Sequence, residues 1–181
     1  MDSIKTTTTI AIGKATVADI PQMVAIINSV YRGEQSKKGW TTEAYFIDGD
    51  LRTDEADIAQ LMALPSTIFL KAEHPEAGLV GTVFLSKKES GKLYLGMFSI
   101  QLEWQGGGLG RRMLRAAEEL ALELGCNSVI MQVIPIRSEL MDWYERNGYL
   151  PNGERKPFDG DPRFGVPKVP LEFVILEKPL A

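Results

Sequence analysis

The segment Gln105-Gly106-Gly107-Gly108-Leu109-Gly110-Arg111-Arg112 sits between two patterned stretches. The apolar run Leu93 to Leu102 reads as a strand. Leu109 to Leu124 reads as an amphipathic helix. A glycine-rich turn from strand to helix leaves several backbone N–H groups unpaired and aimed one way, which suits an anion and most often a phosphate. A turn with no ligand needs only one or two glycines. Three in succession cost more chain entropy than such a turn requires.

The neighbouring residues narrow the choice of phosphate ligand. A nucleoside-triphosphate loop places a lysine and a hydroxyl after its last glycine to serve phosphates and Mg²⁺; here Arg111-Arg112 follows Gly110. A dinucleotide fingerprint needs a third small residue near the front of a βαβ unit. Counted from Gly106 or Gly108, that position holds Arg111 or Met113, and the loop lies in the second half of the chain. Coenzyme A fits better: its pyrophosphate can rest on the turn and the helix N-terminus, and its pantetheine arm can pair with the preceding strand like an added strand.

Ile100-Gln101-Leu102-Glu103-Trp104-Gln105-Gly106-Gly107-Gly108-Leu109-Gly110 resembles the acetyl-CoA-binding segment of the GNAT superfamily of N-acetyltransferases, whose pattern is Q/R-x-x-G-x-G/A after an apolar strand. Downstream, Trp143-Tyr144-Glu145-Arg146-Asn147-Gly148-Tyr149 resembles the family's YE-basic-x-G-aromatic segment. The two occur in the family's order and at about its usual separation. The detailed likeness covers Leu93 to Leu150; the N-terminal half matches in element order only. The resemblance implies a single α/β (α+β) domain over residues 1–181, a central mixed sheet of about seven strands flanked by about four helices.

It also implies a reaction: transfer of the acetyl group of acetyl-CoA to a primary amine by direct attack in a ternary complex. Backbone groups at Phe98, Ser99 and Ile100 then face the acetyl-pantetheine arm, and one N–H there polarises the thioester carbonyl. Gln105, Gly106, Gly107, Gly108, Leu109, Gly110 and Arg111 cradle the pyrophosphate. Arg111 and Arg112 are candidates for charge-assisted bonds to phosphate, although exposed helix positions explain at least one of them equally well. Tyr144 is the expected catalytic acid, a phenol that is protonated at neutral pH and able to serve the departing thiolate. Packing at a helix end is the competing reading for Tyr144 and the preferred one for Trp143. The chain departs from the family twice. Arg137 stands seven residues before the tyrosine, where many members carry a cofactor-contacting Asn. Gln132 stands where some carry a general-base glutamate, and an amide cannot act as a base.

The elements that must hold these groups read β-α-α-β-β-β-α-β-α-β-β. Thr7 to Lys14 is the first strand, its threonines a fraying edge. A helix starts at Asp19 and Pro21, with Ile20, Val24, Ile27 and Tyr31 at helical spacing. Arg32 to Leu51 reads as a long loop or broken helix. Thr53 is the expected N-cap of a second helix ending near Ala63. Strands follow at Thr67–Ala72 and Leu79–Lys87. Gly125 stops the long helix, and Ser128 to Ile134 is a strand. Ser138 to Arg146 is a helix stopped by Asn147-Gly148. A strand starts at Tyr149; Pro151 to Gly165 reads as a Pro/Gly-rich loop, and Leu171 to Glu177 as the last strand. Acceptor-site candidates lie in the first long loop, a site wall in the family: Glu34 and Glu43 to bind or deprotonate a cationic amine, and Trp40 to stack on it. A solvated loop with one buried tryptophan is the competing reading. Phe158 to Phe164 is a candidate cover for the acceptor side, with a mobile surface loop as the competing reading.

Composition limits the alternatives. The chain has 181 residues, 44% of them apolar and 24% charged, enough for one domain with a sizeable core. Net charge is −4, and no basic stripe accompanies the arginines after the glycines, which argues against a nucleic-acid partner. Cys126 and His74 stand alone in their types, so no disulfide framework, cysteine zinc site or Cys-His pair is expected, and no metal. No run is long enough to span a bilayer, and a cytoplasmic location without membrane partners is expected. The leading acceptor is a small-molecule amine. A protein N-terminus or lysine is the alternative within the same fold, a non-catalytic acyl-CoA sensor is the alternative of another class, and a homodimer is left open.

Overall fold

The computed structural model describes residues 9–181. Among them, seven strands form one sheet in the order β1-β3-β4-β5-β6-β9-β7. These are β1 Ala11–Lys14, β3 Thr67–His74, β4 Gly78–Lys87, β5 Lys92–Ile100, β6 Ser128–Val133, β7 Leu150–Pro157 and β9 Glu172–Pro179. Neighbours run antiparallel except β5 and β6, which are parallel. The parallel pair needs a crossover, supplied by the glycine turn and the helix α4, Leu109–Glu123. Helices α1 Ile20–Tyr31 and α3 Glu55–Met62 cover one face. β4 contributes to both layers: Leu79 and Phe84 join the cluster containing Met23, Ile27 and Val30, whereas Val80, Val83 and Leu85 join the cluster containing Leu109, Met113 and Ala117. Strict alternation would separate Val80 from Val83; the ladder irregularities along β4 shift the phase and let them share a face. Burial of side chains such as Ile27 and Leu109 stabilises the two layers by about 1.5–3 kcal/mol each. No helix among the described residues is long and apolar enough to cross a membrane.

Three expectations are corrected. The first strand begins at Ala11; Thr7 and Thr8 lie outside the described residues. The cap of α3 is Asp54, whose carboxylate accepts from the backbone N–H of Asp57 at 2.8 Å, while the Thr53 hydroxyl bonds the Asp57 side chain. Residues 151–157 are strand, not loop. They pair with β9 at the sheet edge, where Pro151 and Pro157 need not donate to a further neighbour, and the register shifts across Asn152–Glu154.

The segment expected as a loop or broken helix contains a short helix, α2 Gly33–Ser36, and a two-residue strand, β2 Ile47–Asp48. β2 pairs with β8 Val166–Pro167, joining this segment to the late loop. The approach is close at Gly165: at φ +119°, a Cβ there would lie 2.4 Å from Ile47 Cγ2. Lys168 ties the same two segments by donating its backbone N–H to the Phe46 carbonyl at 2.8 Å and its ammonium to the Ala44 carbonyl at 3.1 Å. A buried clasp fixes this layer to α5, Ser138–Arg146. Glu43 accepts from Arg32 on one oxygen and from Arg137 on the other, the latter at 3.3 Å. Arg32 also donates to the Phe164 carbonyl at 3.0 Å, and Arg137 to the Thr41 carbonyl. The three side chains are 2%, 11% and 8% exposed for Arg32, Glu43 and Arg137. Removing one charge from such a buried group leaves the others uncompensated. Glu43→Gln is therefore expected to cost about 3 kcal/mol of stability, read as a lower urea midpoint at unchanged m-value; an unshifted midpoint contradicts the clasp.

Candidate active site

The site opens where β5 and β6 part. Their ladder joins Lys92–Tyr94 to Ser128–Ile130, and among the described residues no pair continues it. Beyond it β6 stays with β9 as far as Val133, while β5 stays with β4. A bulge in the β4–β5 ladder, between Thr82 and Phe84, falls opposite this point, and Met97 takes φ +46°. A bulge rotates the strand and re-aims its backbone. Position 97 is one a non-glycine residue adopts only when its surroundings enforce it. The carbonyl of Phe98, next along, accepts from the hydroxyl of Tyr31 at the end of α1.

A cavity of about 340 Å³ extends from the end of β5 to the glycine turn, lined among others by Ile100, Gln105, Gly106, Gly108, Gly110 and Arg111. Gln105 donates its side-chain amide to the Ile100 carbonyl at 2.9 Å, folding the turn back on the strand. Gly106 and Gly108 have φ +81° and +87°, and a Cβ at either would meet nothing within 4 Å. Backbone conformation, not crowding, requires these glycines, and the space above them is open. Gly108 caps α4, whose first helical bond runs from Arg112 N–H to the Gly108 carbonyl at 3.2 Å. The N–H groups of the first turn have no intrahelical acceptor, the backbone arrangement an anion requires.

A second cavity, of about 240 Å³, adjoins the first. Its wall includes Arg32, Glu43, Arg52 and Arg137, Tyr94, Gln132 of β6, and Phe158 to Asp161 with Phe164 of the late loop. Tyr31, Phe98, Leu140 and Tyr144 line both cavities and mark their junction. Tyr144 projects from α5, whose apolar positions Leu140 and Tyr144, one turn apart, are buried. Its ring meets Trp143 at 5.2 Å and Tyr149 at 6.1 Å between centroids. Among the described residues its hydroxyl has no hydrogen-bond partner, and burial, reinforced by nearby Tyr31, pushes its pKa well above the usual phenol value. Burial likewise pushes Tyr31 up to about 12, with Arg137 opposing. Arg32 is shifted down by burial, against the pull of Glu43. This arrangement holds a neutral hydroxyl where two compartments meet, the glycine turn at one end and charged side chains at the other.

The expected residues divide accordingly. Phe98, Ile100, Gln105, Gly106, Gly108, Gly110, Arg111 and Tyr144 line the glycine cavity. Ser99 is buried beside them with its hydroxyl on the Met97 carbonyl; Gly107 is not part of the wall, and the Leu109 side chain belongs to the core. Arg112 turns away and donates to the Ile10 carbonyl at 2.7 Å. Trp143, expected as core, packs edge-to-face on Trp40 at 5.6 Å and lines the glycine cavity with it. Trp40 is thus on the glycine side, not in the second cavity. Arg137 belongs to the second cavity, its guanidinium drawn to Glu43 and Thr41 and not to the glycine turn. Glu43 is spent on two arginines. Glu34 lies on the surface, ion-paired with Lys37 at 2.6 Å, and lines neither cavity. Phe158 to Asp161 and Phe164 of the late loop line the second cavity. Tyr31, Arg32 and Arg52 escaped the sequence reading as site residues. Tyr31 shared its signal with the helix core, and the arginines carry no local pattern.

A sequence model of the acetyltransferase (GNAT) family matches residues 27–149, spanning both the first long loop and the Tyr144 segment. No curated protein sequence matches the chain. Among solved structures, an acetyltransferase of the GNAT family from Staphylococcus aureus Mu50 aligns with TM-score 0.68 at 17% identity, over 95% of this chain and 99% of that one. A protein provisionally named a phosphinothricin N-acetyltransferase aligns with TM-score 0.71 at 16% identity, over 95% and 99%. The ribosomal-protein-alanine N-acetyltransferase of Brucella melitensis aligns with TM-score 0.69 at 21% identity, over 94% and 99%. With the family model covering most of its length and the same fold in these structures, the chain belongs to the acetyltransferase (GNAT) family.

Proposed function

We propose that the protein transfers the acetyl group of acetyl-CoA to a primary amine of a small molecule, by direct attack within a ternary complex. The observation that carries this reading is the meeting of the two cavities at Tyr144, with the glycine turn on one side and a chamber lined by arginines and the late loop on the other. The structural neighbours bear names of both small-molecule and ribosomal-protein acetyltransferases, so they do not choose the acceptor. The chamber favours the smaller one: about 240 Å³, walled on one side by Phe158 to Asp161 and Phe164, accommodates a compact amine more readily than an extended chain.

The residues of the glycine cavity fit the donor. Gly106 and Gly108 leave open space over the first-turn N–H groups of α4, Arg111 adds a cation at the wall, and the edge of β5 beyond Tyr94 is free of β6. Acetyl-CoA supplies an activated acyl thioester. The chain's own part is to hold and polarise it. A backbone N–H at the β5 bulge is the available donor to the thioester oxygen as that atom gains negative charge. Tyr31 fixes the bulge by taking up the Phe98 carbonyl. Tyr144 donates a hydrogen bond to the departing sulfur. Its raised pKa makes full loss of the proton unfavourable, so its role is to stabilise the thiolate while the proton released by the attacking amine neutralises it. Gln132 cannot accept a proton. Of the carboxylates at the second cavity, Glu43 is clasped by two arginines and Asp161 is bonded to Arg163, leaving Asp159 without an ion pair among the described residues and free to take the amine's proton directly or through water.

Acetyl-CoA consumption measured across a panel of small amines tests the reading. Tyr144→Phe, which removes the hydroxyl and leaves the ring, is expected to lower kcat by about 10²-fold with little change in KM for acetyl-CoA; an unchanged kcat removes Tyr144 from the mechanism. Gly108→Ala forces a side chain into left-handed geometry costing roughly 1–2 kcal/mol at the phosphate turn. It is expected to raise KM for acetyl-CoA about 10-fold with kcat largely kept, and equal loss in both parameters contradicts a binding role. No turnover with small amines, together with acetylation of peptide N-termini, overturns the small-molecule acceptor.

A further inference from the structure

The second cavity has more positive charge than a binding site for a plain amine calls for. Arg32, Arg52 and Arg137 all line it. Arg32 and Arg137 share a single carboxylate, Glu43, so the buried clasp carries one positive charge in excess. Their Nε–H groups are buried with no partner, and their other bonds go to the carbonyls of Phe164 and Thr41, which carry no countercharge. Arg52 is half-buried. Its backbone N–H is held by Asn28 at 2.6 Å, fixing where the residue emerges, yet among the described residues its guanidinium has neither a carboxylate nor a hydrogen-bond partner. The acidic groups of the wall outside the clasp, Asp159 and Asp161, are exposed on the late loop, and Asp161 is occupied by Arg163. The charge is therefore polarised, with guanidinium excess inside and carboxylate at the loop.

Unpaired charge held away from water is costly, and an anionic group on the ligand lowers that cost. Guanidinium groups match the planar fork of a carboxylate. From this we infer that the acceptor carries an anionic oxygen group beside its amine, an α-amino acid being the simplest such molecule. Arg52, backed by the excess charge of the clasp, receives the anionic group, and the amine is left to face the Tyr31–Tyr144 junction. The inference rests on the acetyl-transfer reading for its amine half; the anionic half stands on the arginines alone.

The test compares the L-amino acids with their primary carboxamides, and adds aminoalkylphosphonates to separate carboxylate from other anionic groups. Neutralising the carboxylate lowers the basicity of the adjacent amine, so more of a carboxamide is unprotonated at neutral pH and intrinsic reactivity favours it. A preference for the acid must therefore come from the protein. The expected result is a kcat/KM at least about 10-fold higher for the preferred amino acid or phosphonate than for its uncharged partner, as one charge-assisted contact supplies. Arg52→Gln collapses that ratio through KM, and Arg52→Lys restores part of it. Turnover of carboxamides and simple amines with equal or better efficiency overturns the inference and leaves the acetyltransferase reading intact. Calorimetric binding of the same pairs in the presence of CoA reads the anionic half without chemistry. Binding of the acid that is lost in Arg52→Gln, with no acetyl transfer to any amine, supports the ligand class and overturns the transfer reaction. Absence of both the binding and the kinetic preference overturns the inference.

Discussion

Everything at this site depends on one failure of pairing. β5 and β6 share a ladder only at Lys92–Tyr94 and Ser128–Ile130, and each then follows its antiparallel neighbour. A sheet cannot ordinarily leave an interior gap, because unpaired backbone groups buried in protein are costly. Here the antiparallel halves pin the outer edges of the two strands, and the gap is framed by α1, α5 and the glycine turn. The bulge at Met97 turns β5 into the opening, and Tyr31 takes up one of the freed carbonyls, that of Phe98. The rest of the strand edge stays available to a ligand that can pair with it. The same divergence spaces α4 from α5, so the glycine turn and Tyr144 look into one space from different sides.

What could be read from the sequence was what a short contiguous segment can encode. The glycine turn is a backbone device, and its requirements fall on neighbouring residues: left-handed φ at Gly106 and Gly108, an open face, a helix starting at once. Tyr144 was legible for the same reason, since its helix, its stop at Asn147-Gly148 and its aromatic partner Tyr149 lie within a few positions. The Arg32–Glu43–Arg137 clasp was not legible. Its pairs are 11 and 94 residues apart, and an arginine that ends in a buried clasp looks in sequence like one on a surface. Reading Glu43 as a group that binds or deprotonates an amine follows from its place in a polar loop; in three dimensions its carboxylate is enclosed and bonded to Arg32 and Arg137. The proline-rich stretch after Tyr149 was misassigned because proline excludes only a central strand, and nothing local distinguishes an edge strand from a loop.

The two halves of the site differ in kind. The glycine side is built from backbone and apolar rings, with Trp143 between Trp40 and Phe98 as their shared ring contact, and has few side-chain charges. That side tolerates sequence drift so long as the turn keeps its conformation. The loop-covered side is built from side chains whose charges must sum correctly, and the loops carrying them are joined by the two-residue β2–β8 ladder and the clasp. Charge on that side can therefore change with few consequences for the sheet but large ones for the layer above it.

That asymmetry bears on how protons move. Burial holds both Tyr31 and Tyr144 in the neutral form across the physiological range, so neither hydroxyl titrates as the pH passes through neutrality. The groups at the junction thus act as fixed donors, one committed to a strand carbonyl and one facing the cavities. In the proposed transfer, a proton taken from the amine would have no low-pKa phenol to receive it and no glutamate on β6, where Gln132 stands. It must leave toward the exposed late loop, where Asp159 and water lie, or pass to the departing sulfur. The wall of arginines reinforces this direction, since positive charge beside the amine favours its neutral, nucleophilic form before any base acts. On the proposed reading, the cations that would attract an anionic group would also prepare the amine, and the missing glutamate would be less of a deficit than its absence from β6 suggests.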